Sequence, residues 1–493
     1  IFADYSPFAD YDIRLYGKVE PETFRAQGGR MTPDAPDGES DYNYLHRRLA
    51  EKGWYYWLEH RNDGHTLVIS DNSEFASNPI DGTGKVRFHN DNATLPEDTI
   101  PPWKPRRLMR PGQVSLTGFD FKHPRAERYD TRTRNQQGDV LQTEVHEYAG
   151  AYAFKNYEAA DNLTKLRMEE IESRAKRFEA RSNCRLIQPG RAFELLGHFA
   201  HDREDLHQRK FLIQSVRHEA SNNYRMGDKG EASYRNTFIA QRKIIQYRPG
   251  RGHNSKQARR YGIQNAVNVG RPGEEIDCDE YGRVYVQFPW DRKGQYDHKS
   301  SCRVRVASMW AGANFGAIGV PRVGQEVLVQ WIDGNPDLPI IVGSVYNQAN
   351  MPPWELPANK TQTGILSRST HSSHHEHANA IRFEDKKGHE EVWIHAEKDQ
   401  RIEVENNESH TVGGSRSKQI SGGETTGIGK DRIQNVEGKH TETVKGDIEV
   451  TSVNGIIHLR AAQKIIFEVG GSSIVMTKDD ITQLSSRIDL NPS

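Results

Sequence analysis

Along residues 404–447 one β-branched aliphatic residue returns every eight positions, as Val404, Val412, Ile420, Ile428, Val436 and Val444. Two places after each stands Gly414, Gly422, Gly438 or Gly446, with Asn406 and Lys430 in the remaining two blocks. Nearly everything else is polar. A strand crossing one face takes about five or six residues, so an octad is one strand plus its corner. Burying one Val or Ile stabilises by about 1.5–3 kcal/mol, far less than the conformational entropy lost by eight ordered residues. A lone chain of this kind has bare strand edges and no second apolar layer. Other copies must supply the missing hydrogen bonds and side chains; wound together, they close a prism, pair every edge and bring the β-branched column to the axis. The glycines are expected at tight corners with positive φ.

Two other readings of the octads fail. Calcium-binding β-rolls repeat every nine residues with acidic ligands at fixed places, whereas here the period is eight and the acidic residues move between columns. A disordered polar tail has no reason to hold Val or Ile in one column through successive blocks. Beyond Val453 the register breaks, and the more apolar IIHL, KIIFEV and SIVM are expected as strands of a stiffer distal section.

The rest of the chain sets bounds. Its 493 residues suffice for three or more domains, and 67 Lys and Arg against 68 Asp and Glu give no global bias toward nucleic acid or an acidic membrane. At 34% hydrophobic residues the composition is lean, which implies much surface per core. No apolar run approaches the roughly 18 residues of a membrane span, and no signal peptide is visible. Cys184, Cys278 and Cys302 lack pairing parity and metal spacing, fit a reducing compartment and are read as buried or inert thiols.

The first half reads as mixed α and β. In SDYNYLHRRLAEKGWYYWLEH, Ser40 can cap a helix whose face carries Leu45 and Leu49, Gly53 can end it in the left-handed region, and Trp54–Trp57 continue as a strand. A second helix is signalled by Leu163, Leu166, Ile171, Ala175 and Phe178, with a solvent-facing charged side from Arg167 to Arg177. Residues 131–139 are expected as a polar loop, and HNSKQARRYG, 253–262, as a basic, flexible linker.

After it the pattern is compact β. Val284, Val286 and Phe288 alternate inward against Tyr285 and Gln287, Val304 and Val306 repeat the alternation, and Asp333–Pro336 make a turn between two further strands. Closely spaced short strands suggest a small closed OB-type barrel. Such barrels can bind single-stranded nucleic acid; Trp290, Trp310 and Phe315 with Arg283, Arg303 and Arg305 would serve, although strand arginines more often belong to barrel surface or a subunit interface.

YGRVYVQFPWDRKG and SCRVRVASMWAGANFGAIGVPRVGQEVLVQWIDGNPDLPIIVGSVYN resemble the OB-domain signature of the VgrG family, the spike proteins of the type VI secretion system. NAIRFEDKKGHEEVWIHAEKDQRIEVENNESHTVG is similar to the family's needle start, and SDYNYLHRRLAEKGWYYWLEH to its phage-hub-like region. The resemblance implies a mainly β protein with a mixed α+β N-terminal region: hub-like domains over 1–252, a linker at 253–264 and an OB-fold barrel over 265–348. A strap and transition at 349–399 and an intertwined triple-stranded β-helix needle over 400–493 would follow. Val404, Val412, Ile420, Ile428, Val436 and Val444 would lie on its axis, Gly414, Gly422, Gly438 and Gly446 at its corners. It further implies a homotrimer that docks on an Hcp-type tube protein and meets baseplate proteins. The needle would carry effectors or a PAAR-type tip protein across a target membrane, after assembly in the cytoplasm and before secretion or injection. Family members carry hub sequence ahead of the point matching Ile1, so the chain is expected to be N-terminally incomplete. A spike of a contractile phage or phage-tail-like bacteriocin is the alternative, and an OB-fold nucleic-acid binder a remote one.

His371, His374, His375 and His377 are imidazoles in one short run and lie outside the family pattern. They sit in a Ser-rich stretch after PPWELP without a cysteine, which reads as a solvated linker rather than a metal site. No G-x-S-x-G, H-E-x-x-H or P-loop occurs, and the interval between Tyr346 and the first octad is too short for a typical enzyme domain. The expectation is no catalytic residue, no metal and no cofactor.

Overall fold

The computed structural model describes residues 1–5, 9–17, 38–89, 98–135, 143–151, 154, 156–224, 232–371, 374 and 376–488. The chain divides into two compact units, Ile1–Arg401 and Ile402–Ser493.

In the first unit, a small sheet of β1 (Asp10–Arg14), β2 (Tyr55–Arg61) and β3 (Gly64–Ser70) has the order β1-β3-β2. Helix α1 (Asp41–Lys52) leads into β2. Ser40 Oγ accepts from the Asn43 N–H, and Gly53 ends the helix at φ 70 with its N–H on Ala50 O. A seven-stranded sheet follows, built from β4 (Lys85–Phe88), β5 (Thr99–Ile100), β6 (Trp103–Arg107) and four later strands. Between them β7 (Gln113–Asp120), β8 (His123–Arg132) and β9 (Glu144–Ala151) make a separate sheet, so Thr131 and Arg132 of the expected polar loop are strand. Part of that loop, 136–139, lies outside the described residues. The large sheet is completed by β10 (Lys176–Ser182), β11 (Ala192–Leu196), β12 (Lys210–Ser221) and β13 (Ser233–Arg242) in the order β5-β4-β11-β12-β13-β10-β6. Its core is aromatic: Trp103 stacks on Phe178 at 4.7 Å, with Phe193, Phe211 and Phe238 around them. The Trp103 N–H donates to His201 Nε2 at 3.1 Å.

The second long helix, Tyr157–Ala175, differs from expectation at both its end and its far side. Phe178 lies not on it but on β10, in the sheet core. The charged side is not open to water either. Arg248, from a segment far along the chain, donates to Glu169 at 2.7 Å, and Arg251 approaches Glu170 and forks onto Glu147 at 2.6 and 2.8 Å. Burial pushes the Arg167 guanidinium down to about 10. Ion pairing by a returning segment let charged residues occupy a packed face.

Residues 253–262, expected as a flexible linker, form neither helix nor strand but are anchored at two points. Arg260 is buried with its guanidinium 4.8 Å from the Trp290 ring centre and 5.6 Å from that of Trp331, while its N–H donates to Gly334 O. The Lys256 N–H donates to Asn43 Oδ1 on the first helix. Residues 256–260 are clamped at both ends.

The barrel strands are β14 (Gln264–Val269), β15 (Tyr285–Gln287), β16 (Arg305–Val306), the hairpin β17 (Ala311–Gly312) and β18 (Phe315–Gly316), β19 (Glu326–Trp331) and β20 (Pro339–Ser344). Five run in the order β15-β14-β19-β20-β16, and a bridge between Val284 and Val304 joins the two edges into a closed barrel. Val284, Val286, Val304, Val327 and Val329 fill it. Gln287, expected outside, is fully buried: its amide donates to Phe288 O and Asp291 O, so its polar atoms are satisfied in place. Asp333 (φ 53) and Gly334 (φ 66) form the turn between β19 and β20. A three-stranded meander of β21 (Gln362–Leu366), β22 (Ala380–Glu384) and β23 (Glu391–His395) ends the unit.

In the second unit, no strand and no backbone–backbone hydrogen bond occurs among the described residues from Val404 to Lys464. IIHL (456–459) therefore forms no strand ladder within its own chain. Further on β24 (Ile465–Val469), β25 (Ser472–Met476) and β26 (Ile481–Leu484) form an antiparallel sheet closed by short local turns.

Candidate functional site: the octad segment

The octad segment is extended chain interrupted by bends at 405–406, 413–414, 421–422, 429–430, 437–438 and 445–446, one for every eight residues. The second position of each bend is Asn406, Gly414, Gly422, Lys430, Gly438 or Gly446. None of these glycines has positive φ, contrary to expectation, and a Cβ built on any of the four meets nothing within 4 Å in its own chain. A corner between two extended arms is made here within the φ range of any L-residue, which is why Asn and Lys can replace Gly.

The β-branched column is 44–53% exposed in the single chain, against 83% for Ile433, an aliphatic residue outside it. Each column residue is partly sheltered by its own neighbours and half open. With no backbone–backbone hydrogen bond from Val404 to Lys464 either, this surface is complete only when further strands lie against it.

A second open apolar face sits on the meander. Register aligns Ile365, Ile381 and Ile394 in one row and Thr363, Phe383 and Val392 in the next, all on the same side and largely exposed. The other side holds Arg382 over Trp393 at 5.0 Å. In-phase alternation of AIRFE and EVWIH carried this signal, which the sequence reading passed over.

The barrel's basic residues and Trp290 are held within the chain. Arg303 donates to buried Asp277 and lies over Tyr285 at 4.1 Å, Arg283 pairs with Asp279, and Arg305 covers Phe121 at 5.0 Å. Trp290 stacks on Phe288. Only Trp310 and Phe315, on the β17–β18 hairpin, stay mostly exposed among the six. Arg271 and then Arg303 hold the Asp277 carboxyl far below the usual carboxylate range. Of the thiols, Cys184 and Cys302 are pushed up to about 11 by burial, whereas Cys278 is exposed, so burial accounts for two of the three.

His371, His374 and His377 are all exposed, with the His374 and His377 rings 6.4 Å apart and His374 3.5 Å from Glu376. His375 lies outside the described residues. Among the described residues no group of three or more His, Cys, Asp or Glu could hold a metal ion, and no helix is long and apolar enough to cross a membrane.

Three families match in chain order. Residues 37–224 match the phage tail baseplate hub (GPD), 274–346 the type VI secretion system/phage-baseplate injector OB domain, and 363–476 the bacteriophage T4 gp5 C-terminal trimerisation domain. The type VI secretion system spike protein VgrG1b of Pseudomonas aeruginosa is 35% identical over 387 residues, 78% of this chain and 51% of that protein. VgrG1a of the same organism is 33% identical over 481 residues, 92% of this chain and 72% of that protein. This chain thus spans about half the length of VgrG1b. The solved E. coli c3393 protein, a type VI secretion component, superposes at a TM-score of 0.40 with 15% identity over 68% of this chain and 66% of that one, too loosely to weigh in the assignment. With hub, barrel and trimerisation segments in that order and a third of positions shared with VgrG1a along nearly its whole length, the chain belongs to the VgrG family of type VI secretion spike proteins.

Proposed function

We propose that this chain is the hub, barrel and needle of a homotrimeric, non-catalytic spike at the tip of a type VI secretion tube, driven through a target membrane to deliver effectors. The observation that carries this reading is the octad segment, whose backbone and β-branched column are left open by their own chain from Val404 onward. Three copies wound together supply the missing partners. Val404, Val412, Ile420, Ile428, Val436 and Val444 then face the axis, and Gly414, Gly422, Gly438 and Gly446 turn the corners. The trimerisation match over 363–476 supports the number three. The division follows as hub 1–252, connection 253–264, barrel 265–348, transition 349–399 and needle 400–493.

Family membership supports the partners: an Hcp-type tube protein at the hub, baseplate proteins around it, and a PAAR-type tip or effectors at the needle end. Assembly would take place in the cytoplasm, followed by secretion or injection. Nothing in this role calls for bond-making chemistry. The barrel arginines are engaged within the chain, which disfavours the nucleic-acid reading. The test is the native mass of the purified protein. Three chains are expected, and a stable monomer at micromolar concentration would overturn the proposal.

A further inference from the structure

The octads contain a second column, four residues after the first. It reads Glu408, Arg416, Glu424, Arg432, His440. The sign alternates at each step from Glu408 to Arg432. Each also stands four residues before the next column residue with no bend between them, and four is an even number, so on that extended arm these side chains leave the same face as Val412, Ile420, Ile428 and Val436. Charges on that face approach the interior of a prism, where a charge without a partner is costly. Yet the chain does not pair the cations itself. Glu408 meets His410 and Glu424 meets Lys418, while among the described residues neither Arg416 nor Arg432 has an ion-pair partner.

Winding supplies the partners. This step rests on the three-chain needle proposed above. If each octad covers one of three faces, the next octad of the same chain covers the next face, one layer on. By threefold symmetry a given face then stacks one octad of one chain, the following octad of a second chain, and the one after that of the third. Neighbouring parallel strands lie about 4.8 Å apart, so residue k of one chain flanks residue k+8 of another. Glu408 comes beside Arg416 of a second copy, Arg416 beside Glu424, and Glu424 beside Arg432.

We propose that this alternating column sets the register in which the copies wind. The hydrophobic column cannot do so, because a slip of one octad lays Val on Ile and corner on corner as before. The same slip sets Glu against Glu and Arg against Arg on every face. Opposite charges in register attract, and like charges out of register on a partly desolvated face repel. The apolar column drives association, and the charged column selects one alignment from several of equal apolar fit.

The test uses the full chain with Thr425→Cys and Ile433→Cys. These odd-spaced positions face outward, and parallel neighbours lie within disulfide reach. In the parent trimer, mild oxidation should join the thiol introduced at position 425 of one copy to that at position 433 of another, read by mass spectrometry of the linked peptides. Glu424→Arg, which puts three cations in a row, should remove most of that 425–433 product in favour of 425–425 and 433–433 links, or prevent the trimer. The inverted column Glu408→Arg, Arg416→Glu, Glu424→Arg and Arg432→Glu restores alternation and should restore the 425–433 link. A Glu424→Arg trimer with unchanged links and melting would overturn the proposal. So would an inverted column no better than the single variant, or a parent trimer lacking the 425–433 link. A parent chain that is monomeric by native mass would instead overturn the spike reading beneath it.

Discussion

The barrel and the octad segment bury the same residue type in opposite ways. In the barrel Val284, Val286, Val304, Val327 and Val329 are at most 1% exposed, and the Val284–Val304 bridge ties the last strand edges together. In the octads Val412 is 53% exposed and Ile428 49%, and the backbone beside them forms no ladder within its own chain. A closed sheet satisfies its hydrogen bonds locally, so its stability belongs to one chain. In an octad ribbon each corner-to-corner span adds a single residue to the apolar column, so its stability belongs to an assembly.

The sharpest way to break this contrast is to put a charge in each place. Val286→Asp should unfold the barrel at any concentration, costing several kcal/mol for a buried carboxylate. Ile428→Asp should leave the barrel's melting intact and abolish or weaken the trimer. Crowded on a dry axis, the new carboxyls would titrate above the ordinary range. Their protonated form suits the folded state, so the defect should ease as pH falls and grow as pH rises past the ordinary carboxylate value. Thr425→Asp, pointing outward in the same octad, is the control. Equal melting and protease resistance of the Ile428→Asp and Thr425→Asp proteins at neutral pH would refute the buried axis.

Next in size is Asp277→Asn, which strips Arg271 and Arg303 of a fully buried partner and should cost the barrel about 3 kcal/mol. The Asp277 carboxyl titrates below its unfolded value, so the stability it contributes is present above the usual carboxylate range and is lost as pH falls. Barrel melting in the parent should drop below about pH 4, where that of the Asn variant changes less. Smaller again is Arg260→Ala, which uncovers Trp290 and Trp331 and should cost about 2 kcal/mol in barrel melting with no change in native mass. Smallest is Ser at His371, His374, His375 and His377, expected to alter neither melting nor mass. Stoichiometric zinc in the parent, with loss of stability on chelation, would contradict that.

Local signals were legible in the sequence. Ser40 and Gly53 cap a helix through contacts within four residues, and Asp333–Gly334 turn a hairpin, because both depend on immediate neighbours. The inward valines were legible because alternation has a fixed period. The charged side of the second helix was misjudged because its cover, Arg248 and Arg251, arrives from far along the chain. Gln287 was misplaced because alternation says which way a side chain points but not whether carbonyls wait there. In the octads the column was visible and the corner φ was not, since glycine at a bend suggests a left-handed turn that Lys430 and Asn406 show to be unnecessary.

Those ordinary corners give the needle a modular grammar. No position in the octad demands a special backbone, so blocks of eight can be duplicated or deleted in twos, which keeps the charges alternating, and the chain beyond them resumes the same path. A change of one residue has no such freedom, because it would turn every later side chain to the other face, and a change of two would move every later corner out of step. Length in such a protein is therefore free to vary in pairs of blocks, as a quantity set by counting rather than by redesign.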